Sequence, residues 1–208
     1  MSVVEEVETG EPVAFNSFLP LQVRTGEEVF LVVQGCDGFV DKAHRRRGLF
    51  QKTLTFMSEE LVERGPDFLI GFNFTGSAEA ARKAGSLVAC DVNVWQTKVD
   101  EIKRRPLRHT NLELSAATPE EASNIYESWA RRTPRIHFHR TVDYLRWRFE
   151  ECPLFNYVIR KVESGGEVQG YVAVGIDGED GLKKMTVEDC IPPLLRGRTS
   201  LGCPRGAA

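Results

Sequence analysis

The sequence predicts a mixed α/β (α+β) fold, an open mixed sheet with helices packed on its faces. Three observations lead there. Val29-Phe-Leu-Val-Val33 is a short, β-branched apolar run with the length of a buried strand. Phe50, Leu54, Met57 and Leu61 then recur at helical spacing and give the next element one apolar face. Further strand-like stretches flank helix-like ones in the same order along the chain.

Taken in turn, strands are expected over about 12–23 and 27–40, the second broken at Gly35 and Gly38 and resumed by Phe39 and Val40. A helix follows over about 44–64, stopped by Gly65 and Pro66, a C-terminal glycine with a proline behind it. Asp67-Phe-Leu-Ile-Gly-Phe72 reads as a strand. Ser77 can cap a small helix over 78–84 that Gly85 closes, and a strand over 87–98 completes the first domain, residues 1–100. Residues 101–117 open on a polar, charged, proline-broken stretch and read as a connector. Thr118-Pro119-Glu120-Glu121 is a strong helix start: capping threonine, proline at the first position, glutamate completing the box. That helix should run to about Arg132, and Thr141 should open another through Tyr144, Leu145 and Phe149. Residues 156–162 and 169–176, joined by Ser164-Gly165-Gly166, read as a hairpin. The second domain is thus 118–190. The tail, 191–208, has no periodicity and is enriched in Pro, Gly and Arg, so it reads as disordered or non-native sequence.

Composition bounds the function. The 208 residues are 41% hydrophobic, enough for a sizeable core. A net charge of −3 argues against a general nucleic-acid binder, and no apolar run reaches membrane-spanning length. The first residues are acidic where a signal peptide would be basic. Five widely spaced cysteines, an odd number without a C-x-x-C pair, read as reduced thiols in a cytoplasmic protein and do not form a zinc set. A homodimer is left open.

The most informative stretch is Val40-Asp-Lys-Ala-His44-Arg45-Arg46-Arg47-Gly48-Leu49-Phe50, where an apolar strand meets a helix. Three arginines and a glycine stand at the helix start. Unpaired N–H groups and the positive dipole end point outward there, which suits a phosphate. Cations are otherwise disfavoured in a first helical turn, so three together call for an anionic ligand.

Arg45-x-x-Gly48-x-Phe50 resembles the acyl-CoA loop of the GCN5-related N-acetyltransferases, usually Q/R-x-x-G-x-G/A. Phe50 departs from the small residue usual there, a departure accommodated if its ring joins the Phe50/Leu54/Met57/Leu61 stripe. The resemblance covers roughly residues 11–98. It implies a mostly antiparallel twisted sheet of the acyl-CoA N-acyltransferase type and acetyl-CoA as co-substrate. The cofactor-binding residues it implies are Phe39, Val40, Arg45, Arg46, Arg47, Gly48, Leu49, Phe50 and Asn73. Residues 46–50 would present backbone N–H groups to the pyrophosphate. The strand ending at Phe39 and Val40 would splay from its neighbour and leave an N–H free to polarise the thioester carbonyl. The family's tyrosine, which often protonates the departing thiolate, is replaced by Ala81, so water or a hydroxyl such as Ser77 would serve. The second part, helix–helix–strand–strand, follows the order in which a domain of this family opens. The first part lacks the opening elements, as in a fragment of a tandem protein or a truncated gene.

Asp37 alternates with Phe39 and could act as general base for an incoming amine; it equally fits a turn or bulge at Cys36-Asp37-Gly38. His137 and His139 share one side of an extended segment, but no third ligand joins them, so no metal is expected. Trp129 to Arg148 interleaves six arginines with aromatics. That mixture could hold nucleic acid, but it fits helix packing with a solvated arginine side better. No P-loop, G-x-G-x-x-G, HExxH or G-x-S-x-G pattern occurs. The expected function is transfer of an acetyl group from acetyl-CoA to a small-molecule or protein amine by direct attack in a ternary complex, with no nucleic-acid or membrane partner. The alternative is a non-catalytic fragment that binds CoA or packs against a partner.

Overall fold

A computed structural model describes residues 1–73, 75–89, 92, 98, 111–179 and 182–191. The chain forms two compact units, residues 1–24 with 28–95, and residues 25–27 with 96–208. Both combine helices with mixed or antiparallel sheet, as the sequence predicts.

In the first unit, strands β1 (Ser2–Glu5), β2 (Pro12–Thr25), β3 (Glu28–Val40) and β4 (Phe68–Gly71) lie side by side in that order. β1 and β2 are antiparallel, with Val3 opposite Phe15. β3 and β4 are parallel, from Val32 opposite Phe68 to Gly35 opposite Gly71. A parallel pair needs a crossover, and helix α1 (Leu49–Arg64) supplies it. Met57 and Leu61, one turn apart, pack on Val33 and Phe18. Gly65 ends the helix in the left-handed region at φ 77°. A second helix, α2 (Thr75–Lys83), ends with Ser86 N–H bonded to Ala81 O and Gly85 N–H to Arg82 O, a Schellman pair.

In the second unit, β5 (Leu112–Ala116), β7 (Asn156–Ser164), β8 (Glu167–Glu179) and β9 (Leu182–Ile191) form an antiparallel sheet in that order. Helix α3 (Pro119–Ala130), a short strand β6 (His137–Phe138) and helix α4 (Val142–Leu145) precede β7. α4 runs on as a π-helical turn over Arg146–Glu150. Tyr126, Leu145, Phe149, Tyr171 and Ala173 form the core between helices and sheet. Thr118 caps α3, accepting from Glu121 N–H while the Glu121 carboxylate accepts from Thr118 N–H, the reciprocal box read from sequence.

Four expectations change. α1 begins at Leu49 and not near residue 44, because Asp41 caps a separate 3-10 turn over Lys42–His44. α2 begins at Thr75, so Ser77 lies inside it and does not cap it. Leu112–Ala116, read as the end of the connector, is strand β5. The arginines of 129–148 are a solvated side only in part: Arg131, Arg132 and Arg135 are exposed, but the other three are paired. Arg140 pairs with Asp189, Arg146 with Glu120, and Arg148 with Glu188 and the Tyr157 hydroxyl. The strand expected over 87–98, residues 101–110 of the connector and residues 192–208 of the tail lie outside the described residues, wholly or in the main, whereas Ile191, read as the first residue of the tail, ends β9 and is buried. Cys36, Cys152 and Cys190 are free thiols, whereas Cys90 and Cys203 lie outside that range. Among the described residues no helix is long and apolar enough to cross a membrane.

Candidate functional site

The candidate site lies where β3 outruns β4. Their pairing stops at Gly35 and Gly71, yet β3 continues to Val40. Side chains of a regular strand alternate faces, but Val33 packs on α1 and a side chain at Gly38 would also point at α1's first turn. Five residues apart cannot share a face without one extra residue between them, so β3 carries a β-bulge around Cys36 and Asp37. Beyond it, Asp41 N–H donates to Val13 O at 2.8 Å, toward β2. By alternation the N–H groups of Gly38 and Val40 point the other way, to the edge that β4 has left. The Val40 carbonyl agrees: it is free of β2 and accepts from Arg45 Nε at 3.1 Å.

That bond folds the loop back on its own strand. Arg45 is extended (φ −64°, ψ 161°), and Arg46 is the one described non-glycine residue in the left-handed region, at φ 65°. For an L-residue this costs about 1–2 kcal/mol, and such strain concentrates at ligand-holding turns. Gly48, at φ 74°, adopts the same region without a Cβ and serves as the N-cap. It has no side chain to offer, and the first helical bond is Lys52 N–H to Gly48 O at 3.0 Å. The amides of Leu49, Phe50 and Gln51 therefore open the helix uncapped. Arg45, Arg46, Arg47 and Gly48 are exposed around them.

Phe50 does not obstruct this loop. Its ring lies in the space a side chain at Gly38 would need, with Cε2 2.6 Å from an ideal Cβ there. Beside it Asn16 and Thr53, each 3% exposed, form a buried polar pair. Asn16 Nδ2 donates to Thr53 Oγ1, and Thr53 Oγ1 donates to Phe50 O at 2.8 Å. The pair fixes α1's first turn against β2. The expected stripe is accordingly Thr53, Met57 and Leu61 at its most buried, with Phe50 and Leu54 half-buried beside it.

Phe39 stacks on Phe15, ring centroids 5.9 Å apart, and remains 44% exposed. Asp37 lies in the bulge with its side chain exposed, while its carbonyl accepts from Ser17 Oγ at 3.2 Å. Burial, then the Asp37 charge, pushes the neighbouring Cys36 thiol above its ordinary range. Asn73 follows β4 by two residues, and its Oδ1 accepts from Ser77 Oγ at 3.3 Å. Ala81 is buried, its methyl group part of the packing. Phe39 through Phe50 thus form one continuous strand–loop–helix segment, with Asn73 at the end of the strand that β3 leaves.

Sequence reasoning missed Asn16, Thr53 and His44. His44 Nδ1 lies 3.1 Å from Asp41 Oδ1 and Nε2 lies 3.5 Å from Glu6 Oε1. The His44 hydrogen bond, then the Ala43 amide, holds the Asp41 carboxyl below its ordinary range. Among the described residues no group of three His, Cys, Asp or Glu side chains could hold a metal ion.

No family model matches the chain, and no curated protein matches it. Solved structures do. A GCN5-related N-acetyltransferase from Anabaena variabilis matches with a TM-score of 0.53 and 14% identity, over 90% of this chain and 47% of that one. Saccharomyces cerevisiae N-myristoyltransferase with bound myristoyl-CoA and inhibitors matches at 0.53 and 15%, over 90% and 50%. A GCN5-related N-acetyltransferase from Kribbella flavida matches at 0.53 and 15%, over 88% and 43%. The chain spans about half the length of each. At these identities the likeness is one of architecture: the chain has the fold of the GCN5-related N-acetyltransferases.

Proposed function

We propose that the chain binds an acyl-CoA at the Arg45–Phe50 loop and transfers its acyl group, acetyl in the first instance, to an amine. The observation that carries this reading is the departure of β3 from β4 together with the left-handed Arg46 and Gly48 that open α1. Uncapped amides of the first turn would take the pyrophosphate, and Arg45, Arg46 and Arg47 would add charge-assisted contacts. On the edge that β4 leaves, the N–H of Gly38 or Val40 would polarise the thioester carbonyl. The amine would attack the carbonyl carbon as the C–S bond breaks, with proximity in a ternary complex supplying much of the rate. Asp37, exposed in the bulge, is the candidate to take the amine's proton, and Asn73 a candidate to hold the pantetheine side of the cofactor. With Ala81 buried where a phenol would serve, the thiolate's proton would come from water or Ser77. The acceptor, a small molecule or a protein, is not specified by these residues.

The buried Ala81 also supports a second reading, in which the chain binds CoA without turning it over. Thermal unfolding of the full chain with excess CoA, acetyl-CoA and myristoyl-CoA tests the first claim. A ligand of the native state at about 100 times its dissociation constant adds roughly 2.7 kcal/mol of stability, a clear rise in midpoint. A cooperative transition unmoved by all three would overturn both readings. Binding without release of free thiol in the presence of an amine panel would select the second.

A further inference from the structure

Phe39 lies between Gly38 and Val40, the two residues whose N–H groups face the edge that β4 leaves. Its side chain therefore stands one residue from either place where a thioester carbonyl would be held. Its neighbours fix the face on which it stands. A Cβ at Gly38 would meet the Phe50 ring, and one at Gly35 would stand 3.8 Å from Phe18 Cε1, which packs with Met57 and Leu61. Both glycines thus look toward α1, and alternation sends Phe39 to the opposite face. On β2, Asn16 looks toward α1, where it meets Thr53, so Phe15 is on that opposite face too. There the two rings stack at 25°, with centroids 5.9 Å apart. Val3 of β1 stands opposite Phe15 in register and shares its face.

Val3, Phe15 and Phe39 thus lay an apolar strip across three adjacent strands, roughly 10 Å wide at the usual strand spacing. Both of its ends are open, Val3 being 43% and Phe39 44% exposed. That width suits one ring or a short branched chain. The strip also borders an acid. Asp37, two residues before Phe39, is exposed, and its carbonyl accepts from Ser17 Oγ, which alternation places on the face of Phe15. An apolar strip beside a carboxylate favours a cationic group on an apolar body. The rings gain from an apolar or aromatic partner, and both the carboxylate and the ring faces attract an ammonium.

We propose that Phe39, backed by Phe15 and Val3, is the specificity-determining residue for the acceptor, and that the acceptor is a small primary amine carried on an apolar body of about one ring. This rests on the reading that an acyl-CoA carbonyl is held at the β3 edge. In that reaction the amine nitrogen, giving its proton to Asp37, bonds to the carbonyl carbon as the C–S bond breaks. CoA leaves as a thiol, with a proton from water or Ser77.

The test uses the full chain as wild type, Phe39→Ala and Phe39→Leu, with acetyl-CoA and two acceptors, 2-phenylethylamine and ethylamine, followed by release of free thiol. The readout is the ratio of the two kcat/KM values, in which a general change in cofactor binding cancels. Phe39→Ala should lower that ratio about twofold to tenfold, the worth of an aromatic pair, through KM, and Phe39→Leu should recover part of it. An equal ratio in wild type and Phe39→Ala overturns the proposal and leaves the acyl-CoA reading intact. So does a Phe39→Ala variant that loses affinity for myristoyl-CoA while keeping the amine preference, because the strip would then belong to the acyl chain. Calorimetric titration of both amines in the presence of CoA is the second readout and needs no turnover. Tighter binding of 2-phenylethylamine than of ethylamine, lost in Phe39→Ala, upholds the strip, and equal binding of the two amines overturns it. If no form binds CoA, the acyl-CoA reading falls, and titration of the amines into the ligand-free chain decides on the same two outcomes.

Discussion

Alanine at Gly38 should destabilise the first unit by about 1–3 kcal/mol, the range for overpacking, although the glycine itself is exposed. The magnitude follows from what surrounds the glycine. A Cβ there would stand 2.6 Å from Phe50 Cε2 and would collide with the Asn16 side-chain amide. Carbon atoms in contact prefer about 3.5–4.0 Å, so the ring must retreat by about 1 Å. The ring can swing. Asn16 cannot, because its Nδ2 is bonded to Thr53 Oγ1 in a site where water does not replace a lost partner. Urea unfolding of Gly38→Ala, Phe50→Ala and the double variant measures the effect as a cycle. Phe50→Ala empties the slot, so Gly38→Ala should cost at least about 1 kcal/mol less in that background than in wild type. Equal cost in the two backgrounds would refute the placement of the ring over Gly38. The explanation of how a phenylalanine is accommodated beside the anion loop would go with it.

Gly48→Glu should abolish CoA binding while the far-ultraviolet circular dichroism is retained; unchanged binding would remove the loop from the site. Asp189→Ala should cost about 3–5 kcal/mol in urea unfolding, because Arg140 would be left as a buried unpaired charge; a loss under about 1 kcal/mol would show that water reaches Arg140. Lys161, then the Thr118 amide, holds the Glu121 carboxyl below its ordinary range. A depressed acid contributes stability that is present above the unfolded glutamate range and lost as pH falls through the folded one. The stability gap between wild type and Glu121→Gln should therefore be constant near neutrality and close on acidification, and a gap that widens would contradict the pairing.

What could be read from the sequence was what is local. The capping box at Thr118 needs four consecutive residues, and α1 needs only its own period, so both were legible. The cluster of arginines and glycine from Arg45 to Gly48 also stood out, because its members are neighbours in the chain, though as the start of the helix and not as a loop before it. The start of α1 was misplaced because Gly48 caps by conformation alone, and a glycine N-cap carries little signal. β5 was hidden because Leu112, Leu114 and Ala116 alternate over only five residues. β9 was hidden because one of its inward positions is Asp189, a charge that reads as solvent-facing until Arg140 is known to meet it. The parts of the candidate site that escaped notice arrive from a distance. Asn16 meets Thr53 across 37 residues, and Glu6 meets His44 through a different strand pair. No local pattern encodes such meetings.

The buried pair of Arg140 and Asp189 sets an order on how the second unit is made. Arg140 Nε and Nη2 reach the two Asp189 oxygens at 2.6 and 2.7 Å, and Tyr171 OH donates to the same carboxylate at 2.6 Å. These groups come from the segment before α4, from β8 and from β9, and Asp189 is the last of them along the chain. During synthesis the helices and the β7–β8 hairpin emerge first, with nothing to neutralise the guanidinium their packing would enclose. Closing the core at that stage would bury a bare charge, at a cost of several kcal/mol. Docking of the helices on the β7–β8 hairpin is therefore disfavoured by that cost until β9 brings Asp189 to the pair.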